Sequence, residues 1–359
     1  MTADKRKNTS VLNKALSIFF KDALRVAIAS PLQAYFFYKT IRWQRKASRI
    51  RSNWEQQDVH IPPIIIFSIT YRCNLQCDNC YAQELHPSSD NELSEDEIRN
   101  IFREARELGV SFFVIAGGEP FIRPELLRIT SDFPEILFLV FTNGLLIDDE
   151  VIRRMKRQKN IIPLISLEGQ KDDTNKRRGK GVHERLQKII KELRRNSMFF
   201  GISLTITRQA FDTLTNQQFI QNLIAIGCKF FLFLEYTPIS EGTEDFVLTD
   251  EQRKDLMHLM DSFHAKRKAL FITVPGAEEE VGGCLSAGRG FVHITAGGDV
   301  EPCPFAPFSD TNVRDSSLKE ALQSNFLKKI RQHPEELSVT EGGCILWKKR
   351  EWVKSLLKK

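Results

Sequence analysis

After residue 60, short apolar runs alternate with longer charged segments of helical period. A continuous apolar run of this length is typical of a strand buried in a parallel sheet, whereas apolar residues three and four positions apart indicate an amphipathic helix. The pattern predicts six strands, at Ile64–Thr70, Ser111–Ala116, Ile136–Thr142, Ile161–Leu167, Phe199–Thr207 and Lys229–Tyr236. A helix is predicted after each strand, at Ser94–Leu108, Arg123–Asp132, Asp148–Arg157, Val182–Asn196, Thr213–Ile226 and Thr249–Lys268.

Six consecutive β-then-α units predict an α/β fold, a partial (β/α)6 TIM-like barrel rather than the full eight-stranded one. In such folds the chemistry belongs to the carboxyl ends of the strands. Ser94, followed three residues later by Glu97, is a capping box that begins the first of these helices. The chain is expected to divide into a basic amphipathic helical extension at 1–60, a core at 61–270 and a small C-terminal region at 271–359.

The extension contains two apolar stretches. On a helical wheel, residues 10–29 separate into an apolar face and a face of lysine, serine and arginine, and Pro31 is expected to end this helix. The second stretch precedes a basic block formed by Arg42, Arg45, Lys46, Arg49 and Arg51. Two interpretations stay open: the apolar face lies in the surface of a membrane with anionic lipids, or it packs on the body of the protein. Charges inside the run disfavour a membrane-spanning helix.

The net charge of +6 belongs to this extension, because residues 1–60 hold 12 Lys and Arg against 4 Asp and Glu. The rest of the chain is slightly acidic, so no nucleic-acid partner is expected. The odd number of cysteines, seven, argues against a secreted disulfide framework, and no secretory signal is recognisable at the start. We expect a cytoplasmic protein, peripheral at the inner face of the membrane if the extension binds lipid.

Three cysteines, Cys73, Cys77 and Cys80, follow the first predicted strand in one loop. Three thiolates on one loop can bind three irons of a cubane cluster and leave the fourth iron for a further ligand. Zinc is an alternative at this point, because His86 is near enough in sequence to be a fourth ligand.

The loop, with Tyr81 directly after the third cysteine, resembles the signature of the radical S-adenosylmethionine (SAM) superfamily. Four further segments are similar to motifs of that family and follow in its order. They are Gly117-Gly118-Glu119-Pro120, Thr142-Asn143-Gly144, Ser166-Leu167-Glu168-Gly169 and Arg178-Gly179-Lys180-Gly181. Each alone reads as an ordinary glycine turn, but their common order after a three-cysteine loop makes the resemblance specific. It covers about residues 62–236.

The resemblance implies a [4Fe–4S] cluster on Cys73, Cys77 and Cys80, with SAM bound at the remaining iron. Reductive cleavage of SAM then gives methionine and a 5′-deoxyadenosyl radical, which takes a hydrogen atom from the substrate; flavodoxin or ferredoxin is the implied electron donor. The SAM-binding residues that it implies are Tyr81, Gly117, Gly118, Glu119, Asn143, Ser166, Glu168 and Arg178. The sequence departs from the family at Glu168, where an aspartate is usual, and the neighbouring Arg177 leaves the arginine assignment open by one position.

Cys284, Cys303 and Cys344 lie in the C-terminal region. Phe291–Thr295, the turn Gly297-Gly298 and a return strand from Val300 predict a β-hairpin. The spacing of Gly298 and Cys303 is similar to that in SPASM or shortened twitch modules, which implies a second, auxiliary [4Fe–4S] cluster on these three cysteines. A hairpin without metal is the alternative. The remaining thiol, Cys228, is interpreted as a buried core residue.

The expected function is hydrogen abstraction from a substrate that the sequence does not identify. Peptide or protein maturation and modification of a membrane-associated small molecule or lipid are both considered. A non-catalytic iron–sulfur electron carrier or a zinc-binding scaffold is the alternative from another class. The sequence identifies no general acid or base; Glu235 and Tyr236, at the end of the sixth predicted strand, have only a suitable position.

Overall fold

The computed structural model describes residues 16–28, 30–86, 91–266, 268–276, 283–338 and 343–357. Its strands are β1 (Ile64–Thr70), β2 (Phe112–Gly117), β3 (Leu137–Thr142), β4 (Ile161–Leu167), β5 (Gly201–Ile206), β6 (Phe230–Glu235), β7 (Leu270–Val274), β8 (Phe291–Ile294) and β9 (Val300–Glu301). They form one open sheet in the order β7-β6-β5-β4-β3-β2-β1-β8-β9. All neighbouring pairs are parallel except β8 and β9, so the core is a partial TIM-like barrel.

The helices lie between and around these strands. They are α1 (residues 16–26), α2 (Pro31–Gln56), α3 (Tyr81–Leu85), α4 (Glu95–Leu108), α5 (Leu126–Ser131), α6 (Asp149–Gln158), α7 (Lys171–Arg178), α8 (Val182–Arg195), α9 (Phe211–Thr215), α10 (Gln217–Ala225), α11 (Asp250–Lys266), α12 (Leu318–Leu322), α13 (Asn325–Gln332), α14 (Ile345–Lys348) and α15 (Arg350–Ser355). Short 3-10 helices occur at Pro120–Ile122, Glu244–Phe246 and Pro334–Leu337. The capping box at Ser94 and Glu97 is present as predicted.

The six predicted strands are present, with ends that move by at most two residues. A seventh parallel strand, β7, was not predicted. The predicted helix Thr213–Ile226 is divided at Asn216, because the side chain of Asn216 accepts hydrogen bonds from the first amides of α10 and begins a new helix there.

The predicted C-terminal hairpin is confirmed, but it is not a separate cap on the barrel. Strand β8 pairs in parallel with β1, from Ile64 opposite Phe291 to Phe67 opposite Ile294, and β9 returns antiparallel to β8. The region that carries the last three cysteines therefore continues the sheet of the core.

The two faces of the sheet have different partners. On the outer face, residues such as Phe113, Phe138 and Phe231 belong to the large core under the surrounding helices. On the inner face, the first halves of the strands are apolar, as at Leu137 and Ile162. Further along, the same alternation places Ser166 and Ser203 on the inner face, where the two residues are paired.

Helices α1 and α2 fill the apolar half of the inner face. The rings of Phe19 and Phe20 lie 5.7 and 6.3 Å from that of Phe112, at the start of β2, and the ring of Phe37 lies 5.1 Å from that of Phe199. The apolar side of the extension is thus packed in the protein, as the second interpretation of the sequence expected. Residues 10–15 and 29 of the predicted first helix lie outside the described part of the chain.

Helix α2 crosses the amino ends of the strands. Arg51 donates to the carbonyl of Gly109 and Ser111 donates to Gln44 at 2.6 Å, both just before β2, while Gln33 donates to the carbonyl of Lys159 just before β4. Pro31 begins this helix rather than only ending the previous one. The extension therefore covers the end of the barrel opposite to the carboxyl ends of its strands. None of the helices described is both long and apolar enough to cross a membrane.

Candidate active site

The cysteine loop leaves β1 at Thr70 and ends at Cys80, the N-cap residue of α3. Glu92 supports its start: the Thr70 hydroxyl and the Tyr71 amide each donate to Oε1 of Glu92 at 2.8 Å. Glu92 lies 22 residues after Thr70 and belongs to no motif, so this contact was not predictable from the sequence.

The two glycines after β2 allow the cysteine loop to pass directly over them. The Gly118 amide donates to the Thr70 carbonyl at 2.7 Å, and the Glu119 amide donates to the Arg72 carbonyl at 2.9 Å. A Cβ atom on Gly118 would lie 2.1 Å from the Arg72 carbonyl oxygen, a distance that no side chain tolerates. Glycine is therefore required for this approach.

Glu119 is fully buried and joins two of the predicted motifs. Its carboxylate accepts hydrogen bonds from the Thr142 hydroxyl at 2.8 Å, the Asn143 amide at 2.7 Å and the Phe121 amide at 3.1 Å. Burial raises the pKa of Glu119 although these donors act in the opposite direction. Because a carboxylate offers about four acceptor sites, these three bonds leave capacity for one further donor such as an ammonium group.

Asn143 connects the turn after β3 to the cysteine loop. Its Nδ2 lies 3.8 Å from Sγ of Cys73 and donates to Oδ1 of Asn74 at 2.7 Å. The side-chain amide of Asn143 therefore holds the first cysteine in position, while the backbone amide of Asn143 is held by Glu119.

The three thiols of the loop are electrostatic neighbours. Burial raises the pKa of Cys73 and of Cys77, and each pKa is raised further by the nearby thiol of Cys80. Arg178 and Arg177 act in the opposite direction on Cys77. A cationic cluster core replaces the thiol protons and removes this mutual repulsion, so the three donors suit a site for an iron–sulfur cluster.

Glu168, at the end of β4, is buried and pairs with both arginines at the end of α7. Its Oε2 lies 2.7 Å from Nη1 of Arg177, and its Oε1 accepts from Nε of Arg178 at 2.9 Å. Burial alone would raise the pKa of Glu168, but the two guanidinium groups outweigh it and the pKa is lowered. The extra methylene of glutamate is used here to reach two arginines.

Arg177 also holds the cysteine loop directly. Its Nε donates to the carbonyl of Asp78 at 3.2 Å, and its own carbonyl accepts the Asp78 amide at 3.0 Å. From the sequence, Arg178 was the predicted SAM-binding arginine and Arg177 its alternative. The structure gives the two residues different contacts. Arg177 contacts Glu168 and the cysteine loop, whereas Arg178 contacts Glu168 and lies near Cys77.

The C-terminal cysteines meet at a second place. A hydrogen bond with Cys344, together with burial, raises the pKa of Cys303, and the nearby thiol of Cys284 adds to the effect. The chain brings them together because the Cys284 amide donates to the carbonyl of Leu337 at 2.9 Å, and Leu337 lies shortly before Cys344.

A pair of aromatic rings connects the segments that carry the two cysteine groups. Tyr81 follows Cys80, Phe305 follows Cys303, and their ring centroids are 5.4 Å apart. His86, considered above as a zinc ligand of the first loop, is directed instead towards Glu301 and Pro304 of the hairpin.

A barrel with three thiols at the carboxyl end of β1 and a second group of three in the C-terminal region defines an iron–sulfur enzyme with two cluster sites. Residues 67–210 match the family model of the radical SAM superfamily, and residues 284–344 match that of the iron–sulfur cluster-binding SPASM domain. The chain is a radical SAM enzyme with a C-terminal SPASM domain, and its cofactors are SAM and [4Fe–4S] clusters.

Among characterised relatives, the chain is 24% identical over 312 residues to the AdoMet-dependent heme synthase of Methanosarcina barkeri, covering 79% of this chain and 88% of that protein. It is 27% identical over 326 residues to the mycofactocin maturase MftC of Mycolicibacterium smegmatis, covering 81% and 80%. The crystal structure of Streptococcus suis SuiB bound to the precursor peptide SuiA has the same fold, with a TM-score of 0.62 at 19% identity over 82% of this chain and 71% of that one.

The structure thus gathers the sequence-predicted residues at one end of the barrel. Cys73, Glu119 and Asn143 contact one another through hydrogen bonds or charge, and Glu168 contacts Arg178. Ser166 lies on the inner face of β4 by strand alternation. Sequence reasoning missed Glu92 and Asn74, which are single polar residues in loops and carry no local pattern.

Proposed function

We propose that this enzyme abstracts a hydrogen atom from a peptide or protein segment. One observation carries the proposal: Asn143 and Arg177 hold the loop of Cys73, Cys77 and Cys80 at the carboxyl end of the barrel. A second group of three thiols lies in the C-terminal region, which contacts this loop's neighbourhood through the rings of Tyr81 and Phe305. Cys73, Cys77 and Cys80 would hold the cluster, and with SAM and one electron from a reductant it would supply methionine and a 5′-deoxyadenosyl radical. Hydrogen transfer to that radical would give 5′-deoxyadenosine and leave a carbon radical on the substrate.

The residues around the loop have separate tasks in this proposal. Glu119 accepts a hydrogen bond from the SAM ammonium group with its remaining acceptor capacity. Arg178, oriented by Glu168, pairs with the SAM carboxylate. Asn143 and Arg177 fix the thiol donors, while Tyr81, Ser166 and the backbone at Gly117 and Gly118 bound the space that SAM fills. We propose flavodoxin or ferredoxin as the electron donor.

A peptide is favoured over a membrane lipid by the position of the extension. Helices α1 and α2 contact the starts of β2 and β4, whereas the cysteine loop follows the end of β1. A lipid bilayer that touched the extension would therefore lie at the opposite end of the barrel from the site of hydrogen abstraction. The maturase relatives support a peptide; the heme synthase relatives support a small molecule as the competing substrate class.

Radical formation is tested with the anaerobically reconstituted, dithionite-reduced enzyme and SAM. The wild type is expected to release 5′-deoxyadenosine, and Cys77→Ala to release none, because the cluster loses one of its thiolates. Cys228→Ala is the matched control, since Cys228 is buried away from both triads and hydrogen-bonds only within the core. Equal release by Cys77→Ala and the wild type would sink the proposal.

The substrate class is tested by isotope transfer. Extract from the source cells grown in deuterated medium is added to enzyme and SAM, and deuterium in the released 5′-deoxyadenosine is measured by mass spectrometry. A peptide substrate predicts deuterium transfer that disappears after protease treatment of the extract. Deuterium transfer that persists after protease treatment and is found with the small-molecule fraction contradicts a peptide substrate and supports a small-molecule substrate.

We propose, separately, that the extension binds a bilayer of anionic lipids at the inner face of the membrane. The term N-terminal surface denotes Ile28, Leu32, Tyr35 and Tyr38 with Arg42, Arg45, Lys46 and Arg49. Ile28 and Leu32 are 77% and 69% exposed although both are large and apolar, and Tyr35 and Tyr38 follow on α2. Residues 31–54 hold six basic residues and no acidic one. An apolar tip followed by interfacial tyrosines and exposed basic residues suits insertion below anionic headgroups.

Flotation with vesicles tests this surface. Wild-type enzyme is expected to float with vesicles of phosphatidylglycerol and phosphatidylcholine, and Ile28→Ser with Leu32→Ser to lose most of that binding. Arg42→Ala with Arg45→Ala should weaken binding by about 2 kcal/mol, roughly 30-fold, at about 1 kcal/mol for each basic residue near the surface. Met257→Ser, an exposed apolar residue on α11, is the control. Undiminished flotation of the Ile28 and Leu32 double variant would refute the proposal.

A further inference from the structure

Three side chains that no proposed step uses meet where the end of α3 contacts β8 and β9. His86 follows α3, His293 lies on β8, and Glu301 lies on β9. All three are buried, with His293 completely enclosed. One nitrogen of each histidine and one carboxylate oxygen lie within 4.8 Å of one another. Two imidazoles and a carboxylate are donors that first-row divalent metals accept.

The distances between the donor atoms fit a common ion after a small adjustment. Oε2 of Glu301 lies 2.7 Å from Nδ1 of His293 and 3.9 Å from Nε2 of His86. Two donors bound to one tetrahedral zinc ion are roughly 3.3 Å apart, given metal–ligand bonds of about 2.0–2.1 Å. The two observed distances lie on either side of that value, and the nitrogens of the two histidines lie within 4.8 Å of each other, so side-chain shifts without a change of fold bring the three donors onto one ion.

The surroundings orient the donors as an outer shell does in metal sites. The second nitrogen of His293, Nε2, lies 2.8 Å from the Ser68 hydroxyl, which fixes the imidazole with Nδ1 directed at Glu301. The His86 ring is stacked on Tyr71 with centroids 5.0 Å apart. The carbonyl oxygen of Pro304 lies 3.1 Å from Nε2 of His86 and can complete four-fold coordination.

The ion-pair partners of Glu301 within the described residues are His86 and His293. No fixed lysine or arginine of the described structure therefore competes with a metal ion for this carboxylate.

We propose that His86, His293, Glu301 and the Pro304 carbonyl bind one divalent metal ion of the zinc or ferrous type. With four protein donors the site has no open position, so the ion is structural: it ties the end of α3, beyond the first cysteine loop, to the hairpin that carries Cys303. The ion is separate from both iron–sulfur clusters.

The test measures zinc on the cluster-loaded enzyme, with SAM cleavage recorded beside it. After anaerobic reconstitution, each variant is incubated with zinc chloride, desalted and analysed for zinc, iron and sulfide. The wild type is expected to retain one zinc per chain, and His293→Ala and His86→Gln to retain none at unchanged iron and sulfide. His183→Ala, a histidine on α8 outside the cluster of donors, is the matched control.

Zinc bound by vacant cysteine triads is recognised because iron and sulfide are then low. Ser68→Ala keeps all donors and should weaken zinc binding 10- to 100-fold without abolishing it. Retention of one zinc per chain by both histidine variants, or no zinc on the fully loaded wild type, overturns the proposal and leaves a metal-free hydrogen-bonded network. Neither outcome changes 5′-deoxyadenosine release by the wild type, so radical formation is judged independently.

Discussion

At the scale of single residues, the pair of arginines on Glu168 decides how SAM is expected to be oriented. Arg177 contacts the cysteine loop through Asp78, and Arg178 lies close enough to Cys77 to offset part of the rise that burial causes in the pKa of that thiol. A single buried carboxylate thus sets the position of both guanidinium groups.

Glu168→Gln is expected to weaken SAM binding by tenfold or more. Breaking a buried ion pair on one side typically costs about 3–5 kcal/mol, and part of that cost is the misorientation of Arg178. The dissociation constant for SAM, measured anaerobically by equilibrium dialysis at equal iron content, checks this. Glu150→Gln is the control, because Glu150 also pairs with two arginines, Arg153 and Arg154, but on the exposed side of α6. An equal effect of both substitutions contradicts the assignment.

Gly118→Ala is expected to abolish stable iron loading at Cys73, Cys77 and Cys80 while the barrel remains folded. The added methyl group would meet the Arg72 carbonyl at 2.1 Å and displace the loop. Iron content and circular dichroism measured together separate loop displacement from unfolding. At Gly297 the nearest atom to an added Cβ lies 3.8 Å away, so Gly297→Ala should load normally.

The need for glycine was predictable where a motif is local and requires a close backbone approach, as at Gly117 and Gly118. Residue roles were not predictable where the partner is distant in the chain. Glu92 acts on Thr70 across the following helix, and His86 meets Glu301 more than two hundred positions later. Such contacts depend on how the strands associate, and a single polar residue in a loop has no sequence pattern from which its partner could be predicted.

At the scale of elements, α4 links the barrel to the SPASM region. Its capping box at Ser94 and Glu97 begins the helix, Arg314 donates to Glu97 at 2.8 Å, and the Leu318 amide donates to Glu104 at 2.7 Å. Hydrogen bonds from Ser94 lower the pKa of Glu97 to about 2, with a further contribution from Arg314.

Ser94→Ala is expected to lower the free energy of unfolding by about 1 kcal/mol, the usual cost of losing an N-cap. Because the pKa of Glu97 is lower in the folded state, its ionised carboxylate stabilises the fold fully at pH values above the ordinary carboxyl pKa of 4.5. This contribution disappears as the pH falls towards 2. Urea denaturation at neutral pH and at successively lower pH should therefore show the difference between variant and wild type shrinking. Ser52→Ala, exposed on α2, should leave stability unchanged.

At the scale of the whole molecule, the extension is part of the core. An amphipathic helix has the same sequence pattern whether its apolar face meets lipid or protein, so the sequence alone left two interpretations. Phe20 and Phe37 pack with the starts of β2, β3 and β6, and this cluster accounts for the buried face of the extension. Ile28 and Leu32 are exposed, and the proposal of membrane binding depends on them.

Phe20→Ala is expected to cost about 3–5 kcal/mol of unfolding free energy, as large-to-small changes at buried phenylalanines do. Phe20 is fully buried, whereas Ile18 on the same helix is 49% exposed. Ile18→Ala should therefore change stability by less than about 0.5 kcal/mol. Chemical denaturation of both variants checks the assignment, and similar losses from the two substitutions would mean that α1 does not fill the barrel.

The parallel pairing of β8 with β1 makes the barrel depend on the C-terminal region. The division at residue 270 remains a prediction, yet cutting the chain there would uncover the hydrogen-bonding edge of β1 over Ile64–Phe67, an apolar strand next to the cysteine loop. Uncovered edges of this kind pair with other chains. A shortened barrel is therefore expected to elute as aggregates in size-exclusion chromatography. The SPASM region therefore protects the barrel against self-association in addition to carrying cysteines for a cluster.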